Sequence, residues 1–145
     1  MKKIFFTIIL LSLVAISFAQ ELKWFENYDE AIKEAKSKKV PVLINFTGSD
    51  WCIWCKRLDK EVFSTKEFNS YAKKNLVLLK IDTPKNIKQS DELKKANRAL
   101  IEQFKIQGFP TIVLVNFDKK EIARTGYQEG GSVKYIEHLK GLIKK

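Results

Sequence analysis

The sequence predicts one α/β domain built on a central mixed β-sheet with helices on both faces. The 145 residues suffice for a single domain. Helical and strand patterns alternate along the chain, with no internal repeat, Pro/Gly-rich linker or low-complexity block between them. The alternation begins β-α-β and closes with a hairpin and a helix, which puts parallel and antiparallel pairs into one sheet. With 45% hydrophobic residues and 12% aromatics, ten of them Phe, there is enough apolar material for a core. Disordered, collagen-like and low-complexity classes are excluded by that composition.

Each element follows from its own pattern. Phe25, Tyr28, Ala31, Ile32 and Ala35 recur at helical spacing and run into the basic cluster Lys36–Lys39, which suits a helix C-terminus. Val40–Phe46 is a short apolar run rich in β-branched residues, a buried strand. Thr47–Trp51 is a loop, Cys52 to about Phe63 a helix, and Lys66–Lys74 continues or restarts it. Leu76–Asp82 is a second buried strand, followed by a polar connection, Thr83–Gln89. Ser90 caps a helix whose apolar positions are Leu93, Ala96, Leu100, Ile101 and Phe104. Thr111–Asn116 and Glu121–Thr125 form a hairpin about Asp118-Lys119-Lys120. Gly130-Gly131-Ser132 opens a last helix with Val133, Ile136, Leu139 and Ile143 inward. The order is α-β-α-β-α-β-β-α.

The first residues stand apart from this pattern. Met1-Lys2-Lys3 precedes the apolar run Ile4–Ile16, and Ser17-Phe18-Ala19 places small residues at the first and third positions. That is the layout of a secretory signal, with cleavage expected after Ala19 and a mature domain of residues 20–145. Ile4–Ala19 is shorter than the ~20 residues that span a bilayer, which disfavours an uncleaved anchor. Removal takes Lys2 and Lys3 but no acidic residue, lowering the formal charge from +10 to +8. An exported protein works where disulfides form and persist.

Both cysteines lie in Trp51-Cys52-Ile53-Trp54-Cys55, between a strand and a helix. Two intervening residues bring the sulfurs close enough on one turn to close a small disulfide ring. At a helix N-terminus Cys52 meets unpaired backbone N–H groups that favour the thiolate, the attacking species in disulfide exchange. Cys55, one turn on, is expected to be the more buried and to resolve a mixed disulfide. Other uses of the spacing fit less well. Two Cys and one His cannot fill a four-ligand zinc site, and Lys56 stands where covalent haem attachment requires His. A structural bridge across so short a loop removes little unfolded-state entropy.

The segment Asn45-Phe46-Thr47-Gly48-Ser49-Asp50-Trp51-Cys52-Ile53-Trp54-Cys55-Lys56 resembles the active-site segment of the thioredoxin superfamily, most closely its exported thioredoxin-like members. Gly108-Phe109-Pro110-Thr111 falls where that family carries a cis-proline. The resemblance implies a thioredoxin fold over the mature chain, catalysis by Cys52 and Cys55, and a substrate-binding surface that includes Trp51, Phe109 and Pro110. It also implies that Pro110 packs beside the cysteine pair and that Phe109 offers backbone groups to a bound peptide. The chain departs from thioredoxins in three places. Ile53-Trp54 replaces their Gly-Pro, the loop is one residue longer, and Asn45 stands where they bury an Asp. An amide cannot take the resolving thiol's proton, so another group or water must.

Lys56 and Arg57 favour a Cys52 thiolate, and Asp50 opposes it. Trp51 and Trp54 flank Cys52 as an apolar rim. His138, far along the chain, reads as a surface or boundary residue and not a base. The sequon Asn45-Phe46-Thr47 sits at a buried strand end, a poor glycosylation acceptor. The lysines are dispersed among acidic residues, which does not make a nucleic-acid surface.

The function expected is therefore an exported thiol–disulfide oxidoreductase that reduces client disulfides, with no cofactor and no metal. Its partners would be disulfide-containing or thiol proteins and, by resemblance, a membrane thiol electron donor; the protein is expected to be a monomer. Two alternatives stay open at this level: an oxidase or isomerase, and a thioredoxin-fold binding module without turnover.

Overall fold

Residues 22–144 are described in a computed structural model, and the expected signal segment 1–19 lies outside them. Asn27 stops the chain from running straight into a helix. Its side chain accepts the Glu30 N–H at 3.0 Å and starts α1, Tyr28–Lys38. Phe25, read from the sequence as part of that helix, therefore falls before the cap. With Trp24 it forms β1, Trp24–Phe25, a two-residue strand too short to show an alternation. Lys39 ends α1 in the left-handed conformation, φ 55°.

β2, Val42–Thr47, is buried along its whole length. It lies at the centre of the sheet between β3, Val77–Asp82, and β4, Thr111–Val115. β5, Glu121–Thr125, completes the order β1-β3-β2-β4-β5. β1 and β2 run parallel to β3, whereas β4 is antiparallel to both β2 and β5. This is the mixed sheet expected from the β-α-β start and the closing hairpin.

Successive strand residues face opposite ways, so each face draws on alternate positions. Val42, Ile44 and Phe46 of β2 join Val77, Leu79 and Ile81 of β3 under α1 and under α4, Asp91–Gln103. Leu43 and Leu78 point to the other face. There they meet α3, Lys66–Asn75, and α5, Gly131–Ile143. Asn45 alternates onto this second face and pairs in register with Lys80 of β3. The sheet thus carries two polar residues of the same face to the end where the cysteines sit.

The helix after the cysteines differs from its expected form. Cys52 is the N-cap and not the first helical residue; α2 runs Ile53–Leu58 and continues as a π-helical turn, Asp59–Phe63. Such wider turns occur often at functional sites. Two inward assignments are also corrected. Ala96 is exposed and Asn97 is buried in its place, because Asn97 donates to the Asp82 carbonyl at 2.9 Å. Val133 is 59% exposed, and Tyr135 fills the core instead, donating to the Gly126 carbonyl at 2.9 Å. Among the described residues no helix is long and apolar enough to cross a membrane.

Candidate active site

Thr47 ends β2, and Gly48 turns the chain so that its carbonyl accepts the Cys52 N–H at 2.9 Å. Gly48 allows a close approach: a Cβ there would lie 2.7 Å from the Trp51 indole nitrogen. The loop is gripped from the end of β3. Asp82 accepts the Ser49 N–H at 2.9 Å and the Ser49 hydroxyl at 2.5 Å. The Trp51 indole N–H donates to the Thr83 carbonyl at 2.7 Å. Asp50 accepts backbone N–H groups of Lys85 and Asn86, at 2.9 and 2.6 Å. The Lys85 N–H in particular holds the Asp50 carboxyl below its ordinary range. Asp50 is thus committed to the loop after β3, which weakens its expected opposition to a Cys52 thiolate.

Cys52 and Cys55 form a disulfide with Cα atoms 5.2 Å apart. Cys52 Sγ accepts the Cys55 N–H at 3.2 Å. The two are buried alike, 6% and 5% exposed, so the expected difference in burial is not present in the disulfide form. Their surroundings separate them instead. Cys52 is bracketed by exposed apolar side chains, Trp51, Ile53 and Trp54. Cys55 borders a cleft of about 160 Å³, open to solvent at one side, that also touches Asn45, Thr47, Ser49, Asp59 and Lys80, with Lys56 at its side. Asn45 is 7% exposed, and its Oδ1 has no hydrogen-bond donor among the described residues.

The Phe109–Pro110 peptide bond is cis, as the resemblance implied. The Phe109 ring meets Trp51 edge-on at 5.8 Å, which brings this loop to the rim of the disulfide segment. On the other side Trp54 packs on Tyr127, ring centroids 5.3 Å apart, and the Arg57 guanidinium lies 5.1 Å from each ring. Glu61 anchors this group. It accepts from Arg57 at 3.0 Å and from the Tyr127 hydroxyl at 2.5 Å. The Tyr127 hydroxyl first, then Arg57, hold the Glu61 carboxyl below its ordinary range. Arg57 is therefore already neutralised by Glu61 and does less for Cys52 than its place in the sequence suggests.

Other expectations are settled by position. His138 is half-buried on α5, with Nε2 2.9 Å from Thr125 Oγ1, and does not line the cleft. Asn45, Phe46 and Thr47 are all buried, so the sequon is covered. Sequence reasoning missed Asp82, Thr83, Tyr127, Glu61 and Asp59 at this site. Glu61 stands four residues after Arg57 and Asp59 four after Cys55, spacings that place each pair on one helical face. Asp82 and Thr83 gave no local clue, because only the pairing of β2 with β3 brings them to the loop.

A central mixed sheet with helices on both faces, a disulfide opening the helix after the central strand and a cis-proline loop whose Phe109 meets Trp51 define a thiol–disulfide oxidoreductase of thioredoxin type. The sequence matches the thioredoxin-like domain family over residues 28–139, and the chain belongs to that family. It is 34% identical over 126 residues to the disulfide bond reductase DsbH of Chlamydia pneumoniae, covering 87% of this chain and 75% of that one. A solved DsbH oxidoreductase superposes with a TM-score of 0.81 at 34% identity, over 86% of this chain and 85% of that one. The thioredoxin-related protein DsbJ of the same organism is 29% identical over 134 residues, which span 88% of this chain but only 38% of DsbJ.

Proposed function

We propose that the protein is exported, loses residues 1–19, and reduces disulfides in client proteins with electrons from a membrane thiol donor. The Cys52 thiolate attacks one sulfur of a client disulfide, forming a mixed disulfide and releasing the client's other sulfur as a thiolate. Cys55, as thiolate, then attacks Cys52 Sγ. The bond from Cys52 to the client breaks, the Cys52–Cys55 bond forms, and the client leaves with two thiols once protonated. A donor dithiol returns the pair to the reduced state by the same exchange in reverse. Trp51, Phe109 and Pro110 form the surface that receives the client chain around the reacting sulfurs.

The observation that carries this reading is the Cys52–Cys55 pair at the head of α2, with Cys52 ringed by exposed Trp51, Ile53 and Trp54. The reducing direction is favoured by the likeness to a disulfide bond reductase over most of both chains. The equilibrium reduction potential of the pair tests it, read by tryptophan fluorescence in dithiothreitol or glutathione buffers. A value at or below about −250 mV, near thioredoxin's, is expected of a reductant. One between about −180 and −120 mV would instead mark an oxidase or isomerase. Cys52→Ser should abolish turnover of a client disulfide; a binding module would keep its partner under that change.

A further inference from the structure

Resolution of the mixed disulfide requires the Cys55 thiolate, yet Cys55 is 5% exposed, and burial disfavours ionisation of a thiol. A proton acceptor near Cys55 is needed, and the cleft beside it decides which group that is. Asn45, centred on the sheet face below, has no basic atom. Its Oδ1 is nonetheless buried without a protein donor on the wall of a cleft of about 160 Å³, room enough for several waters. A buried acceptor without a partner beside such a space is a place for a water to donate.

The charged groups that face this space come from two elements. From the helix come Lys56 and Asp59, and from β3 comes Lys80, in register with Asn45. The two lysines carry N–H donors and no acceptor atom, so they can stabilise a thiolate but not take its proton. Asp82, at the end of β3, is engaged by both the amide and the hydroxyl of Ser49. Asp59 is the carboxylate that borders the cleft itself. Its Oδ2 accepts only the Ser64 hydroxyl, at 3.1 Å, and its Oδ1 has no hydrogen bond among the described residues. Asp59 N–H bonds to the Cys55 and Lys56 carbonyls, which sets its Cα one turn beyond the thiol.

We propose that Asp59, through water held in this cleft against Asn45 Oδ1, receives the Cys55 proton as Cys55 attacks Cys52. The proton passes from Cys55 Sγ to water and from water to the Asp59 carboxylate, while Lys80 and Lys56 offset the thiolate charge until the new S–S bond forms. Asp59 afterwards releases the proton to solvent, to which it is exposed. The inference rests on the exchange chemistry proposed above, and it assigns to one side chain the task that Asn45 cannot perform.

The reaction of the reduced protein with 5,5′-dithiobis(2-nitrobenzoate) separates the two steps. Attack by Cys52 releases one nitrothiophenolate, and attack by Cys55 on the resulting mixed disulfide releases the second. Asp59→Asn is expected to slow the second release roughly tenfold or more at pH 7 and to leave the first unchanged. The difference should narrow as pH rises well above the ordinary thiol range near ~8.5, because hydroxide then replaces the carboxylate as proton acceptor. Asp59→Glu should keep most of the rate, and Asn45→Asp placed in Asp59→Asn should restore it. An unchanged second release in Asp59→Asn overturns the assignment, as does an equal slowing of both releases at every pH. If the unaltered protein never releases the second equivalent, the exchange reading itself fails.

Discussion

The indole N–H of Trp51 donates to the carbonyl of Thr83 at 2.7 Å, tying the residue before the first cysteine to the loop that leaves β3. The same ring meets Phe109 edge-on and carries the Lys85 ammonium 4.5 Å above its face. Trp51 is thus held on three sides while 39% of it stays exposed. Trp51→Phe keeps an aromatic face but removes the donor. It should lower stability by about 0.5–1.5 kcal/mol in urea unfolding of the oxidised protein. Loss of the indole anchor should also slow client reduction, read as a higher KM for a disulfide peptide.

Asp82 is a second tie between the same two loops. Its carboxylate takes two bonds from Ser49, and its backbone carbonyl takes Asn97 and Gln89. Asp82→Ala leaves the Ser49 amide and hydroxyl without their charged partner. A cost of about 1.5–3 kcal/mol is expected in chemical denaturation. Ser49→Ala, which loses only the hydroxyl bond, should cost less than Asp82→Ala.

Acid should loosen the Asp50 contact in a defined direction. Lys85 and Asn86 N–H groups lower the folded-state pKa of Asp50 below its unfolded value. The stability this contributes is present above the unfolded carboxyl range, near ~4, and is lost as pH falls through the folded value. Asp50→Asn should therefore be less stable than the parent at pH 6–7, with the deficit shrinking below about pH 4. Urea midpoints measured across that range check it.

The Glu61 cluster makes a parallel prediction at the other edge of the site. Tyr127→Phe removes the hydroxyl that chiefly holds the Glu61 carboxyl down. Glu61 should then titrate closer to its ordinary value in a carbon-detected NMR titration. Trp54 should respond as well, because its packing on Tyr127 and Arg57 depends on the same anchor. A red-shifted tryptophan emission in Tyr127→Phe would report the freed indole.

The mixed sheet, four of its five strands and the cap at Ser90 were legible because each has a local signal, a short apolar run between polar turns or a capping side chain. The misplacements have equally local causes. Phe25 kept helical spacing with Tyr28, but the Asn27 cap interrupts between them. Ala96 and Asn97 share a helical turn, and the polar residue turned inward because the Asp82 carbonyl needed a donor there. Val133 lost its place to Tyr135, whose ring buries far more surface while its hydroxyl still reaches a carbonyl.

By itself the sequence determined the class of fold, the cysteine pair and its place between strand and helix, because each is written in neighbouring residues. It also showed what Asn45 could not do. Only the tertiary structure decided which groups surround the sulfurs. Pairing of β2 with β3 sets Lys80 beside Asn45 and brings Asp82 to Ser49 across 33 residues. The loop after β5 supplies Tyr127 to Glu61 across 66 residues. Such contacts arise from strand register and helix packing, which no short window of sequence contains, and they set the electrostatics in which the two cysteines react.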